Sequence, residues 1–288
     1  MSDLMEGIKN LREITGAGFL DCKKALEENN LDIDSSIDFL RKKGLAKANK
    51  KSSREAKEGA IGVYANSKIT TIIQINTETD FAAKNEVFLN FMDLIGGYSL
   101  NIDKADITIS DFNEMLFENI SITDHFKNII SKIGENIILT KLIIINNSDN
   151  LMISHYIHNS YKKNIGKIAV VLRSKVEQKS EDAKILGKNL CMHIAASKPL
   201  AMKIDELDKK LIDKEKEVQM ETIKSNGKPD NILNKILEGK MKKFYTESVF
   251  LNQEYILDTN KTVGEIIDDF SKNNRFEVID YNCVVLQS

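Results

Sequence analysis

The sequence is poor in the residues that would indicate a secreted, metal-binding or membrane protein. Its 288 residues include three cysteines and two prolines, and no apolar run approaches the roughly 18 residues that a membrane span needs. The cysteines are odd in number, widely spaced and without a Cys-x-x-Cys pair, which argues against a disulfide framework and a zinc site. The acidic, interrupted first residues predict no targeting segment. We therefore expect a cytoplasmic protein without a metal or other cofactor.

The charge is nearly balanced as well. Lysine and arginine total 41 and aspartate and glutamate 43, so the net charge of −2 creates no overall field that would attract nucleic acid or a membrane. A hydrophobic content of 42% and a charged content of 29% predict a soluble globular chain with room for two or three packed units. The scarcity of proline leaves long helices uninterrupted.

Residues for covalent or metal chemistry are few. His155 and His158 stand three apart in a predicted strand and so point to opposite faces, which is poor geometry for a shared metal. His193, at the start of a predicted helix, is interpreted as a structural histidine. The sequence has neither a P-loop glycine pattern nor a Gly-x-Ser-x-Gly elbow. We therefore predict that the chain is not an enzyme.

The most informative stretch is residues 75–84, where an apolar strand gives way to two carboxylates and a phenylalanine. Thr79 or Asp80 is a favourable helix N-cap, and Phe81 begins a helical apolar spacing that continues through residues 88–92. The pattern predicts a strand, a tight turn and a helix. Spacing leaves two interpretations of Phe81 open, because the ring could pack the helix onto its sheet or lie exposed for a partner.

The first 44 residues predict a small three-helix unit. Apolar residues recur at helical spacing between breaks at residues 15–18 and 28–30. Asp34 or Ser35 is expected to cap the third helix, and Gly44 is expected to end it.

Phe19 and Leu20 follow the glycine-containing turn of this unit. Because they are adjacent, at least one of them is expected outside the buried stripe, where it would suit a partner, although core packing stays the alternative for either side chain alone. The following basic run, residues 41–57, could neutralise phosphates but has no interleaved aromatic residues. We interpret it as a solvated helix end and linker and do not expect nucleic-acid binding.

The rest of the chain repeats one order of elements, namely a hairpin, helical segments and a closing strand. The first copy has strands over 61–65 and 69–75, helices after Asp80 and over 111–132, and a closing strand over 137–145. The second has strands over 152–158 and 167–172, a helix over 181–197 and a closing strand over 276–286. We predict an α+β fold with an N-terminal three-helix unit, two related α+β subdomains with mainly antiparallel sheets, and an inserted antiparallel helical hairpin.

The inserted hairpin spans residues 204–244, with two highly charged arms, a narrow apolar seam and a turn at 225–229. Such an arm would support a homodimer or reach another partner, and the sequence does not choose between them. The expected domains are residues 1–55 for the three-helix unit and linker, 56–146 for the first subdomain, 147–203 with 245–288 for the second, and 204–244 for the arm.

Several motifs resemble those of one known family. The pattern Asn76-x-x-Thr79-Asp80-Phe81-x-Ala83-Lys84 resembles the signature of bacterial elongation factor Ts, and residues 11–26 resemble the N-terminal signature of the same family. Further similar blocks occur at residues 132–136, 192–199, 238–244 and 261–264. The resemblance therefore covers nearly the whole chain.

The resemblance implies a guanine-nucleotide exchange factor that binds the GTPase elongation factor Tu and promotes GDP release during translation elongation. It would act without binding nucleotide or a membrane itself. The implied contact residues are Thr79, Asp80, Phe81, Ile133 and Gly134 toward the GTPase domain, Arg12, Phe19, Leu20 and Lys23 on the three-helix unit, and His158, Ile256 and Leu257 toward the other end of the partner. The alternative is an interaction scaffold that uses the helical arm and the three-helix unit, which resembles ubiquitin-associated domains.

This chain departs from the family pattern in four respects. Gln74 stands where the family often has glutamate, and Ala82 replaces the usual valine. The turn at residues 161–166 is longer than the compact family pattern, which bears on the position of His158. A C-terminal helix that touches the GTPase in many members is not expected here, since the chain ends soon after the last strand.

Overall fold

The computed structural model describes residues 2–103, 106–225 and 230–286. These residues form two compact units. The first comprises the described residues up to Asn146, together with Asn159–Lys167 and the described residues from Val285 onward. The second comprises Asn147–His158 and Ile168–Val284.

The N-terminal three-helix unit is confirmed. It consists of α1 (Ser2–Thr15), α2 (Phe19–Glu28) and α3 (Ile33–Lys51), which bury a small apolar core that includes Leu11 and Leu26. The expected cap of α3 is wrong by two or three residues, because Asp32 accepts the backbone N–H of Ser35 at 2.7 Å.

The rest of the first unit forms a sheet with helices packed against it. Its elements are β1 (Glu58–Ala65), β2 (Ile69–Thr77), α4 (Asp80–Ala83), α5 (Glu86–Ser99), α6 (Ile109–Glu114), β3 (Leu116–Phe117), β4 (Ile120–Ser121), α7 (Ile122–Ile133) and β5 (Ile137–Asn146). β1 and β2 form the predicted antiparallel hairpin, in which the Asn66 side chain accepts the N–H groups of Lys68 and Ile69. β5 pairs antiparallel with β2.

Both predicted helices of this subdomain are interrupted. The helix after Asp80 stops at Ala83, and Asn85 caps a new helix by accepting the N–H of Val87 at 2.8 Å. The stretch expected as one helix over 111–132 contains the β3–β4 ribbon, which turns through Glu118 and Asn119 at positive φ values of 52° and 67°. The Asn85 cap and the tight turn at Glu118 and Asn119 thus override the helical spacing.

α3 continues beyond its expected end. Gly44 lies inside the helix, where a Cβ atom would come within 2.3 Å of the Ser131 hydroxyl oxygen on α7. The glycine therefore permits close helix packing instead of ending the helix, so the expected helix end at Gly44 is wrong and the linker begins only after Lys51.

The second unit repeats the topology of the first. Its elements are β6 (Leu151–His158), β8 (Ile168–Val176), α8 (Glu181–Ser197), α9 (Lys209–Ser225), α10 (Asp230–Ser248), β9 (Glu254–Tyr255), β10 (Asp258–Thr262), α11 (Val263–Ser271) and β11 (Phe276–Val285). The short strand β7 (Ile165–Gly166) lies between β6 and β8 in the chain but belongs to the first unit. Its sheet has the order β11-β8-β6, and the first sheet has the order β5-β2-β1 followed by β7. In both sheets the closing strand lies beside the second strand of the hairpin, which confirms the predicted pair of related α+β subdomains.

The long turn at residues 161–166 contributes to the first unit. β7 pairs antiparallel with β1, and the backbone N–H of Val63 donates to the Asn164 carbonyl at 3.0 Å. Ile165 is fully buried in the first core, and Lys162 forms an ion pair with Asp93 at 2.5 Å. The extra length of this turn is therefore an additional strand.

The predicted helical arm is formed by α9 and α10. Ile223, Leu233 and Met241 are buried along its seam, whereas Val218 is about half exposed. The expected turn at 225–229 lies outside the described residues from position 226 onward. The arm joins the second unit at a cluster of Ala201, Leu207 and Val249.

Candidate protein-binding site

The junction between β2 and α4 places Phe81 in solvent. Thr79 is the N-cap of α4, and its hydroxyl oxygen accepts the backbone N–H of Ala82 at 3.2 Å. Ala82 and Ala83 are buried on one side of this short helix, which turns Phe81 outward with 83% of its surface exposed. The interpretation of Phe81 as a core residue is therefore wrong.

A pair of reciprocal contacts holds this junction against the segment that precedes β5. Glu135 accepts both the backbone N–H of Thr79 at 3.0 Å and its hydroxyl at 2.7 Å. Glu78 in turn accepts the backbone N–H of Asn136 at 2.6 Å. We call this group of four residues the glutamate latch. Hydrogen bonds to charged carboxylates are among the stronger ones in proteins, so the latch gives Phe81 a rigid support.

Sequence reasoning missed the roles of Glu78, Glu135 and Asn136. A signal was nevertheless present, because Glu78 follows β2 and Glu135 precedes β5. Adjacent antiparallel strands bring the end of one beside the start of the other, which predicts that the two segments meet.

Asp80 forms a local ion pair on the exposed side of α4. Its carboxylate accepts from Lys84 Nζ at 2.8 Å, one helical turn away. This hydrogen bond is the main reason that the pKa of Asp80 lies below its ordinary value. The carboxylate is therefore ionised at neutral pH, and with 41% of the side chain exposed it is accessible to a donor on another molecule.

Ile133 and Gly134 end α7 beside the latch. Gly134 adopts a left-handed conformation with φ of 88°, and its N–H donates to the Ile130 carbonyl at 2.8 Å. Ile133 is half-buried against the first core. Since Glu135 and Asn136 belong to the latch, the structure brings the 133–134 segment together with Thr79, Asp80 and Phe81.

The three-helix unit presents a second exposed surface. Leu20 is 77% and Phe19 is 40% exposed at the start of α2, so core packing is excluded for Leu20. Arg12 and Lys23 are also exposed, and Lys23 Nζ lies 3.7 Å from Glu27 Oε1. Two apolar side chains beside two cations form a mixed patch suited to protein contact.

Three predicted site residues belong to the second unit. His158 is exposed at the end of β6, and its Nδ1 lies 3.2 Å from the Tyr156 hydroxyl. Ile256 and Leu257 are 38% and 57% exposed at the turn between β9 and β10. These apolar side chains project where the backbone reverses direction.

The buried His193 supports this turn. Its Nδ1 accepts the backbone N–H of Ile256 at 3.3 Å, so Nε2 carries the proton and donates to the Gln253 side-chain oxygen at 2.9 Å. Burial lowers the pKa of His193, which keeps the ring neutral at pH 7. The structural interpretation of His193 is confirmed, although it lies near the end of α8 and not at its start.

Two features are absent from the described residues. They contain no group of three or more histidine, cysteine, aspartate or glutamate side chains able to hold a metal ion. Among them, no helix is both long and apolar enough to cross a bilayer. What the surface does offer is an exposed aromatic ring on a rigid support, which is typical of proteins that bind other macromolecules.

Comparison with known proteins identifies the family. A family model described as Elongation factor TS matches residues 78–286. The protein named Elongation factor Ts from Allorhizobium ampelinum is 36% identical to this chain, and the match covers 92% of this chain and 86% of that protein. The protein of the same name from Sinorhizobium fredii is 38% identical, with the same two coverages. The Bartonella henselae protein of that name is 36% identical over 95% of this chain and 88% of its own length. The chain therefore belongs to the elongation factor Ts family, whose members are translation elongation factors.

Proposed function

We infer that the chain is a guanine-nucleotide exchange factor that binds elongation factor Tu and accelerates its release of GDP. The observation that carries this proposal is the 83% exposure of Phe81 at the junction between β2 and α4, which the glutamate latch supports. A large ring held in water by rigid neighbours costs little to bury in a partner, because the support is already ordered before binding.

In the proposed mechanism, Phe81 inserts between side chains near the nucleotide site of the GTPase. Asp80 accepts a hydrogen bond from the partner, while Thr79, Ile133 and Gly134 line the same contact. The energy gained when the ring is buried offsets the distortion that weakens GDP binding. By linkage, the GDP complex binds the exchange factor more weakly, and GTP binding later helps to expel the exchange factor.

Two further contacts would hold the partner during exchange. Arg12, Phe19, Leu20 and Lys23 form the proposed anchoring surface on the three-helix unit. His158 and the turn with Ile256 and Leu257 would contact a different region of elongation factor Tu. Binding at several places lets energy from contacts remote from the nucleotide assist its release.

The test is the release of fluorescent GDP from purified elongation factor Tu with and without the chain. Exchange activity predicts release that becomes faster as the chain concentration rises and then saturates. A chain that binds elongation factor Tu without accelerating release would instead support the interaction scaffold. A chain that does neither would contradict both functions.

A further inference from the structure

We propose that residues 51–54 act as a clasp that positions the Phe81 and Gly134 segments for nucleotide exchange. The proposal rests on the proposed function and assigns a role to part of the basic run that sequence reasoning treated as solvated linker. The clasp is made of side-chain and backbone groups that contact both halves of the site.

The first contact of the clasp comes from Lys51, the last residue of α3. Its ammonium group donates a hydrogen bond to the carbonyl of Gly134. A cation is favoured there because the end of α7 carries partial negative charge and unpaired carbonyl groups. The carbonyl of Gly134 is thus tied to α3, while its N–H is bonded to the Ile130 carbonyl within α7.

The second contact involves the residues just after α3. The Asn136 side-chain amide donates to the backbone carbonyl of Arg54 at 2.6 Å and to that of Ser52 at 3.5 Å. The Arg54 guanidinium lies 3.5 Å from the Glu78 carboxylate, although its own side chain is 55% exposed. Residues 51–54 therefore touch Gly134 and both the Glu78 and Asn136 parts of the latch.

The packing of α3 against α7 holds the clasp in place. α3 packs along α7, and the contact is close at Gly44, where a Cβ atom would come within 3.1 Å of Ser131 Cβ and closer still to its hydroxyl. The packing sets the position of the end of α3 relative to the end of α7. Lys51 is therefore a positioning residue, since it acts on the exchange site through Gly134.

The experiment compares full-length variants Lys51→Met and Lys50→Met. Methionine keeps an unbranched apolar chain and removes the ammonium group, and Lys50 is an exposed neighbour on the same helix. We expect Lys51→Met to lower the maximal rate of GDP release from elongation factor Tu about tenfold, with little change in the half-saturating concentration. Lys50→Met should match the wild type, and Lys51→Arg, which keeps a donor, should recover most of the rate.

Hydrogen exchange of the backbone amides at residues 133–136 supplies a second readout that needs no partner. These amides should exchange faster in Lys51→Met than in Lys50→Met. Equal amide exchange in the two variants, or equal maximal rates of GDP release, would overturn the clasp. If the wild type fails to accelerate GDP release, the proposed function fails, and the amide comparison still decides whether the clasp exists.

Discussion

Replacing Phe81 by alanine separates binding from folding more clearly than any other change in this chain. Because 83% of the residue is exposed, the folded protein covers less than a fifth of it. An aromatic side chain has about 200 Å² of surface, and burial contributes about 25 cal/mol per Å², so Phe81→Ala should cost no more than about 1 kcal/mol of stability.

The same ring should matter much more in the complex. A buried aromatic anchor at an interface is worth about 2 kcal/mol or more, which corresponds to roughly a 30-fold slower reaction if it is used while GDP leaves. Asp80→Ala should add less in the Phe81→Ala background than it does alone, because two residues that act on one contact couple.

The matched control is Phe88→Ala, since Phe88 is completely buried in the first core. Its loss should cost about 3–5 kcal/mol. Urea unfolding and stimulated GDP release would be measured on the wild type, both phenylalanine variants, Asp80→Ala and the Asp80→Ala/Phe81→Ala double variant. If Phe81→Ala is destabilised as strongly as Phe88→Ala but exchanges GDP normally per folded molecule, the proposed role of Phe81 is refuted.

Three further changes test other parts of the molecule. Leu20→Ala should raise the half-saturating concentration for exchange about fivefold and leave stability nearly unchanged, because the side chain is 77% exposed. Burial lowers the pKa of His193 below its ordinary value of 6.5, so the unfolded chain takes up a proton first, and stability should fall as the pH falls below about 6.5. His193→Gln should reduce this loss of stability, and the loss that remains is expected from His155, whose pKa is also lowered by burial. Replacing residues 209–243 by a short flexible turn should preserve exchange, because Leu207 and Phe244 stay in place at the base of the arm.

Each of these has a clear contrary result. The anchoring surface would be contradicted if Leu20→Ala reached half-saturation at the same concentration as the wild type. The control is Leu26→Ala, which removes a buried side chain and should therefore lower stability. The role of His193 would be contradicted if the wild type and His193→Gln lost the same amount of stability between about pH 7 and pH 5.5. For the arm, the contrary result is a folded variant that no longer accelerates GDP release.

The structure also changes how a truncation should be designed. Deleting residues 1–54 would remove the anchoring surface around Leu20, but it would equally remove Lys51 and its contact with Gly134. Weaker exchange by such a fragment would therefore have two explanations. Point substitutions at Leu20 and Lys51 separate them, since the first is expected to change the half-saturating concentration and the second the maximal rate.

Features set by neighbouring residues were predictable from the sequence. The turn of the first hairpin follows from the Asn66 side chain, and the start of α4 follows from the Thr79 cap. The exposure of Phe81 could not be read from apolar spacing, because the break at Lys84 and Asn85 changes the phase between α4 and α5. A periodic pattern describes one continuous helix only.

Features set by distant residues were not predictable in the same way. Gly44 looked like a helix end because glycine is common there, but it is needed for contact with Ser131 on another helix. Likewise, Glu78 and Asn136 are 58 positions apart, and their hydrogen bond depends on the pairing of β2 with β5. Long-range packing decides such roles, and local propensity carries no information about it.

The position of β7 limits how the chain can be divided into fragments. A fragment that stops at Asn146 would contain β1 but not Ile165–Gly166, which covers part of its outer edge. The N–H and C=O groups of that edge would then be open to strands of other molecules, and an uncovered edge strand promotes aggregation. Recombinant expression of the first 146 residues alone should therefore yield an insoluble product, and supplying residues 159–167 through a designed linker is the rational way to recover it.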